Sequence, residues 1–207
     1  MTHAYDKSYL EDTMSSIGAM LDFAVGRCGE DLGLFWERFL SSGIAQQFSR
    51  RNPKYLCGLS GIELALRVAE KTGAPLPVQS VSIDIGSPAY WTGWSLAYLQ
   101  WYLNLSFMEL QRSGLTASEL HARYSTLHEA DLSRTVLYAE KVLAAHHNPK
   151  AFKQARKNAG LNQQQLAERT GIPLRVIRAY EQGTVNLDRA AAQTVRHLYS
   201  VLGLDGD

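Results

Sequence analysis

The sequence predicts an all-α protein, with an N-terminal multi-helix domain followed by a small four-helix domain. Three observations predict this. Apolar residues recur every three or four positions along most of the 207-residue chain, which keeps them on one face of a 3.6-residue helix. Helix-start signals, a hydroxyl followed three residues later by a glutamate, recur at Ser60/Glu63, Ser106/Glu109 and Thr116/Glu119. One stretch, 73–87 (GAPLPVQSVSIDIGS), breaks the pattern.

Taken in order, Leu10, Met14, Ile17, Leu21, Ala24 and Val25 predict an amphipathic helix over 9–27 that closes near Gly29. A second helix is predicted over 30–41, with Leu34, Phe35, Phe39 and Leu40 inward, stopping at Gly43. Ser60 and Glu63 form a capping box that starts a helix running to about Thr72. The two prolines of 73–87 argue against helix there, and Val78, Val81, Ile83 and Ile85 fit a short extended segment. Ser87-Pro88 then caps a long helix reaching about Asn104, with proline at its favoured first position. The boxes at Ser106 and Thr116 start short helices, and a last long helix runs from about Asp131 to Ala145. Proline disfavours helix in the residue before it, so His146-His147-Asn148-Pro149 marks the domain boundary, giving domains 1–147 and 148–207.

The net charge of +1 conceals an asymmetry. Residues 1–149 hold 12 Lys/Arg against 15 Asp/Glu, for −3; residues 150–207 hold 9 against 5, for +4. A basic module joined to a mildly acidic one suits nucleic-acid binding by the first. No apolar run approaches the roughly 18 residues of a membrane span, and the N-terminus lacks the layout of a signal peptide. Cys28 and Cys57 lie far apart and fit no metal spacing. They read as reduced structural thiols of a cytoplasmic protein. No metal or cofactor is expected.

From Phe152 to Leu202 the spacing is more specific. A first helix over about 150–158 ends at Gly160, Asn162 N-caps a second over 163–170, and Gly171 makes the turn. A third, about 173–181, closes at Gly183. Leu161, Leu166, Ala167, Ile172, Ile177, Tyr180, Val195 and Leu198 are the apolar positions that crossed helices would bury. Gly171, Ala167 and Tyr180-Glu181-Gln182-Gly183 at this spacing resemble the helix-turn-helix of the phage repressors, the Cro/C1 or XRE family. The resemblance implies that the third helix enters the major groove of double-stranded DNA, commonly as a homodimer. It also implies the residue roles. Gln163 matches a phosphate contact; Leu174, Arg175 and Ala179 match base-facing positions; Arg178 lies nearer the backbone; Thr184, Asn186 and Arg189 fall in the loop that follows the strand. Arg156 and Glu181 match a structural ion pair. The family usually has polar residues where Leu174 and Ala179 stand, and a small polar residue where Pro173 stands. That departure shifts weight to thymine methyl contacts or weakens specificity, and leaves Arg175 as the residue to read guanine. The fifth helix common in the family is missing from the sequence, which points to dimerisation through the N-terminal domain.

In the N-terminal part the cluster Tyr90-Trp91 … Trp94 … Tyr98 … Trp101-Tyr102 lies at helical spacing. Positions 90, 94, 98 and 101 with Leu105 read as a buried stripe. Trp91 and Tyr102 fall off it and are the candidates for partner binding, since such aromatics dominate binding hot spots. His121, His128, Glu129 and Asp131 match no zinc spacing, and Glu129 with Asp131 reads better as the acidic first turn of a helix. No catalytic residue is expected. The segments MLDFAV, FLSSGIAQQF, NPKYLCGLSGIELA, YWTGWSLAYLQWY and LHEADLS resemble an uncharacterised all-α domain of toxin-associated bacterial regulators. That resemblance implies an antitoxin, which neutralises its cognate toxin and represses its own operon. The competing expectation is a ligand-responsive regulator whose N-terminal domain senses a small molecule, which requires a pocket with convergent polar groups. A third, an enzyme with a DNA-binding tail, requires a titratable cluster in a cleft.

Overall fold

The computed structural model describes residues 3–77, 82–146, 149–185, 187 and 192–202, with the backbone alone for 144–146, 149–151, 154, 192, 193, 195, 196 and 199. Among the described residues every regular element is a helix. The chain forms two compact units, 1–140 and 141–207. The division falls inside the helix Leu132–His146 rather than at the step to Pro149. His147 and Asn148, at the centre of the expected boundary, lie outside the described residues.

Unit 1 is built around α1 (Leu10–Leu21), which continues through a π-helical stretch, Asp22–Arg27. Around it stand α2 (Leu32–Ser41), α3 (Ile44–Ser49), α4 (Pro53–Leu56) and α5 (Gly61–Thr72), then α6 (Pro88–Leu103), α7 (Phe107–Arg112), α8 (Ala117–His121), α9 (Tyr124–Leu127) and the first part of α10 (Leu132–His146). The starts follow the local chemistry. Ser60 accepts from Glu63 N–H while the Glu63 carboxylate takes Ser60 N–H, and Ser106 and Glu109 repeat the arrangement. Thr116 accepts from Glu119 N–H at the start of α8, but the Glu119 carboxylate turns instead to the Tyr138 hydroxyl and to Arg123. Ser87 caps α6 with Pro88 in its first turn.

Two glycines let α1 sit between α5 and α6. A Cβ on Gly61 would lie 2.5 Å from Ser16 O and Met20 N, and one on Gly93 would lie 2.5 Å from Ile17 O. Neither separation is tolerable, so the close backbone approach needs glycine at both positions. The core below holds Ile17, Met20, Leu21, Phe23, Leu64, Val68, Leu96 and Leu99, all buried. A second group of rings, Trp36, Phe39, Phe48 and Phe107, packs with centroids 5.0–6.1 Å apart, edge to face except for the tilted Trp36–Phe39 pair.

The π-helical stretch places Asp22 in the interior. Its carboxylate accepts the Ser87 hydroxyl at 2.6 Å and Asp84 N–H at 2.8 Å, with Arg27 Nε at 3.6 Å. One buried acid thus ties the end of α1 to the segment before α6. Within that segment Val78 and Val81 lie outside the described residues, residues 82–84 have no regular structure, and Ile85 is 76% exposed.

Several burial expectations need correcting. Leu34, expected inward, is 62% exposed, because the buried face of α2 is Phe35, Trp36, Phe39 and Leu40. On α6 the buried residues are Ala89, Trp91, Thr92, Gly93, Ser95, Leu96, Ala97, Leu99, Gln100 and Trp101. The expected stripe of Tyr90, Trp94 and Tyr98 is half-buried, as is Leu105. Gly93 on α6 admits the α1 backbone, and Tyr90, Trp94, Tyr98 and Tyr102 lie at the flank while Trp91 and Trp101 are buried.

Unit 2 contains the end of α10, then α11 (Pro149–Asn158), α12 (Gln163–Thr170), α13 (Leu174–Gln182) and α14 (Ala192–Leu202). Its core is Leu161, Leu166, Ala167, Ile172, Ile177, Tyr180, Leu198 and Leu202, with Phe152, Leu174 and Val176 packed against it. The side chain of Val195 lies outside the described residues.

Candidate nucleic-acid interface

Helices α12 and α13 are set by their ends. Asn162 accepts Gln165 N–H at 2.8 Å and the Gln165 side chain takes Asn162 N–H at 2.8 Å, a complete capping box. Gly171 (φ 68°) ends α12 in the left-handed region, where a side chain is strained, and the chain reverses into α13 within three residues. Pro173 stands at the N-cap of α13 without a side-chain bond to offer.

The surface of α13 divides cleanly. Ile177 and Tyr180 are buried, with the Phe152 ring edge-on to Tyr180 at 6.0 Å. Pro173, Arg175, Arg178 and Gln182 are exposed, while Leu174 and Ala179 are half-buried between the two faces. Arg175, Arg178 and Gln182 follow one another at three and four residues, so they share a ridge. Gln182 was not among the candidates from sequence, although its spacing from Arg175 and Arg178 signals the same face. Thr184 is exposed, its hydroxyl 3.3 Å from Ala179 O, which folds the start of the loop back on α13. Asn186 and Arg189 lie outside the described residues.

Behind this surface is a buried ion pair. Arg156 Nε stands 2.5 Å from Glu181 Oε1 and its Nη2 donates to Glu181 Oε2 at 3.2 Å; Nη1 donates to Leu161 O at 2.6 Å. Gln163 Nε2 also donates to Glu181 Oε2, at 2.7 Å. Burial pushes the Glu181 carboxyl up, but the bonds from Arg156 and Gln163 outweigh it and hold the group below the usual range. The expected pairing of Arg156 with Glu181 is therefore present. The expected phosphate contact, Gln163, is already tied to the same carboxylate.

The partner candidates of unit 1 separate. Trp91 is only 9% exposed, its ring edge-on to Tyr124 at 5.7 Å, so burial removes it as a contact residue. Tyr102 is half-buried and stacks on Tyr98 at 5.8 Å. With Tyr90 and Trp94 these rings form a ridge along α6. Burial, then Tyr102 and Asp131 nearby, raise the Tyr98 phenol, so it stays protonated. The acidic and histidine cluster divides: His121 meets Thr92 at 3.1 Å, His128 stacks on Tyr124 at 4.2 Å and lies 3.6 Å from the exposed Glu129 carboxylate, and Asp131 caps α10 through Ser133 N–H at 2.8 Å. Among the described residues no group of three potential ligands is close enough for a metal ion, and no helix is long and apolar enough to cross a membrane.

Residues 152–196 match the family described as Helix-turn-helix. The C-terminal unit is thus a helix-turn-helix of the Cro/C1 type, a module of sequence-specific transcription regulators that bind double-stranded DNA. Neither a curated protein nor a solved structure matches the chain.

Proposed function

We propose that the protein is the antitoxin of a bacterial toxin–antitoxin pair: unit 1 captures the toxin and unit 2 represses the operon that encodes both. It acts in the cytoplasm, where its DNA is, and carries out no catalytic step. As a homodimer it sets two copies of α13 about one DNA turn, ~34 Å, apart on a palindrome. Within each half-site Arg175 reads a guanine, Leu174 and Ala179 meet thymine methyls, and Arg178 with Thr184 holds the backbone.

The observation that carries the partner reading is the α6 ridge of Tyr90, Trp94, Tyr98 and Tyr102, half-buried rings with hydroxyl and indole edges. Expression of each neighbouring gene with and without this protein tests it. A neighbour that stops growth alone and is rescued by this chain supports the reading, and rescue lost on Trp94→Ala maps it to the ridge. Rescue by no neighbour counts against it.

One observation favours a second reading, a ligand-responsive regulator. A cleft of about 380 Å3 in unit 1 is lined by Asp12, Ser15, Ser16, Cys57, Ser60 and the backbone around them. The Ser16 and Ser60 hydroxyls are bonded to Thr13 O and Glu63, so Asp12 and Ser15 are the polar groups this cleft would offer a small polar ligand. Absence of any toxic neighbour, together with a small molecule that changes promoter affinity in the wild type but not in Ser15→Leu, selects this reading.

A further inference from the structure

We propose that Glu181 is a positioning residue for DNA binding: it turns the Gln163 carboxamide so that its nitrogen, not its oxygen, is presented to a DNA phosphate, while Arg156 cancels the charge of Glu181. The inference rests on the reading of α12 and α13 as the DNA interface.

The chemistry of the three groups carries it. A phosphate oxygen only accepts hydrogen bonds, so Gln163 can hold one only through N–H. A free glutamine at a helix start presents either end of its amide. A carboxylate also only accepts, so Glu181 Oε2 selects the nitrogen, at 2.7 Å. One N–H is used, and the second N–H of the same nitrogen remains for the phosphate. Gln163 is the first residue of α12, an eight-residue helix whose N-terminal dipole also favours an anion.

A bare carboxylate in this place would repel DNA. Arg156 removes that cost: it is buried, and its guanidinium reaches both oxygens of Glu181, at 2.5 and 3.2 Å. Leu174, at the start of α13, has no polar atom with which to orient Gln163. Pre-setting one flexible side chain saves the ordering cost that binding would otherwise carry, which is a factor of about three to ten in affinity.

The test is a double-mutant cycle on the full chain, titrating a duplex of the DNA upstream of its own gene. The variants are Gln163→Ala, Glu181→Gln and both together, each first checked for folding by circular dichroism. Glu181→Gln keeps the shape and can pair with either end of the Gln163 amide, at the cost of the charge that pairs the buried Arg156. Gln163→Ala is expected to weaken binding about tenfold in the wild type and less than twofold in Glu181→Gln. Equal losses in both backgrounds overturn the inference while leaving the DNA reading intact. Failure of the wild type to bind any upstream duplex overturns both. If Glu181→Gln does not fold, the wild type decides by NMR. Two distinct, slowly exchanging Gln163 side-chain N–H signals, one of which shifts on adding DNA, support the inference. Fast-exchanging, unprotected signals overturn it.

Discussion

Arg175 and Arg178 are exposed arginines on one short helix, and the proposed reading gives them different work. Arg175 reads a base, so Arg175→Ala is expected to cut the ratio of operator to scrambled-sequence affinity by about 10–100-fold, from a contact worth roughly 1–3 kcal/mol. Arg178 holds the backbone, so Arg178→Ala weakens both sequences alike and lowers the salt slope by about one. Fluorescence anisotropy on both duplexes at several salt concentrations separates the two. Glu181 carries a pH prediction. Its carboxyl is held below the ordinary glutamate value of 4.5, so the unfolded chain binds its proton more readily than the folded one. The stability it contributes is full above about pH 4.5 and is lost as pH falls through the lower folded value. A thermal melt of unit 2 followed from pH 6 downward is expected to hold level and then drop below 4.5. A midpoint that stays level to pH 3 contradicts this. The Arg156–Glu181 pair was legible because a family pattern marks both positions. The Gln163 bond was not, because it joins residues 18 apart in sequence, beyond any helical spacing.

At the scale of elements, local chemistry was readable and packing was not. Ser60/Glu63, Ser106/Glu109, Ser87-Pro88, Asn162, Gly171 and Gly183 act within a few residues of themselves, and the helices begin and end where these signals stand. Burial on α6 depends instead on which neighbour comes closest. Apolar residues surround this helix, so its ring spacing chose no inward face. Gly93 did, by admitting the α1 backbone. Gly93→Ala is therefore expected to cost about 3 kcal/mol through overpacking, since the new methyl meets backbone that has nowhere to move. Asp22→Ala is expected to cost a similar ~3 kcal/mol, because Ser87 and Asp84 lose a charged acceptor in the interior. Urea denaturation of unit 1 measures both, and a loss below about 1 kcal/mol for either contradicts the packing account. Leu34 illustrates the same limit. It lies on the side of α2 opposite the buried face of Phe35, Trp36, Phe39 and Leu40, which leaves it in solvent.

The whole molecule joins a mildly acidic helical unit to a basic helix-turn-helix, each with its own core. The helix-turn-helix was readable from the turn signals of residues 152–202, and its basic charge from the charge split. Which rings of unit 1 reach the surface was not, because half-buried rings look like core in sequence. Two cores predict two events on heating. Acidification below pH 4.5 is expected to lower the midpoint of the transition that contains Glu181, and Asp22→Ala the midpoint of the other. The most direct measurement is a titration of the full-length protein, wild type and Arg175→Ala, against the DNA upstream of its own gene and against a shuffled duplex. The account predicts that the wild type prefers the upstream DNA by at least about a hundredfold and that Arg175→Ala loses most of that preference while remaining folded. Equal affinity of the wild type for both duplexes, or an unchanged preference in Arg175→Ala, contradicts it.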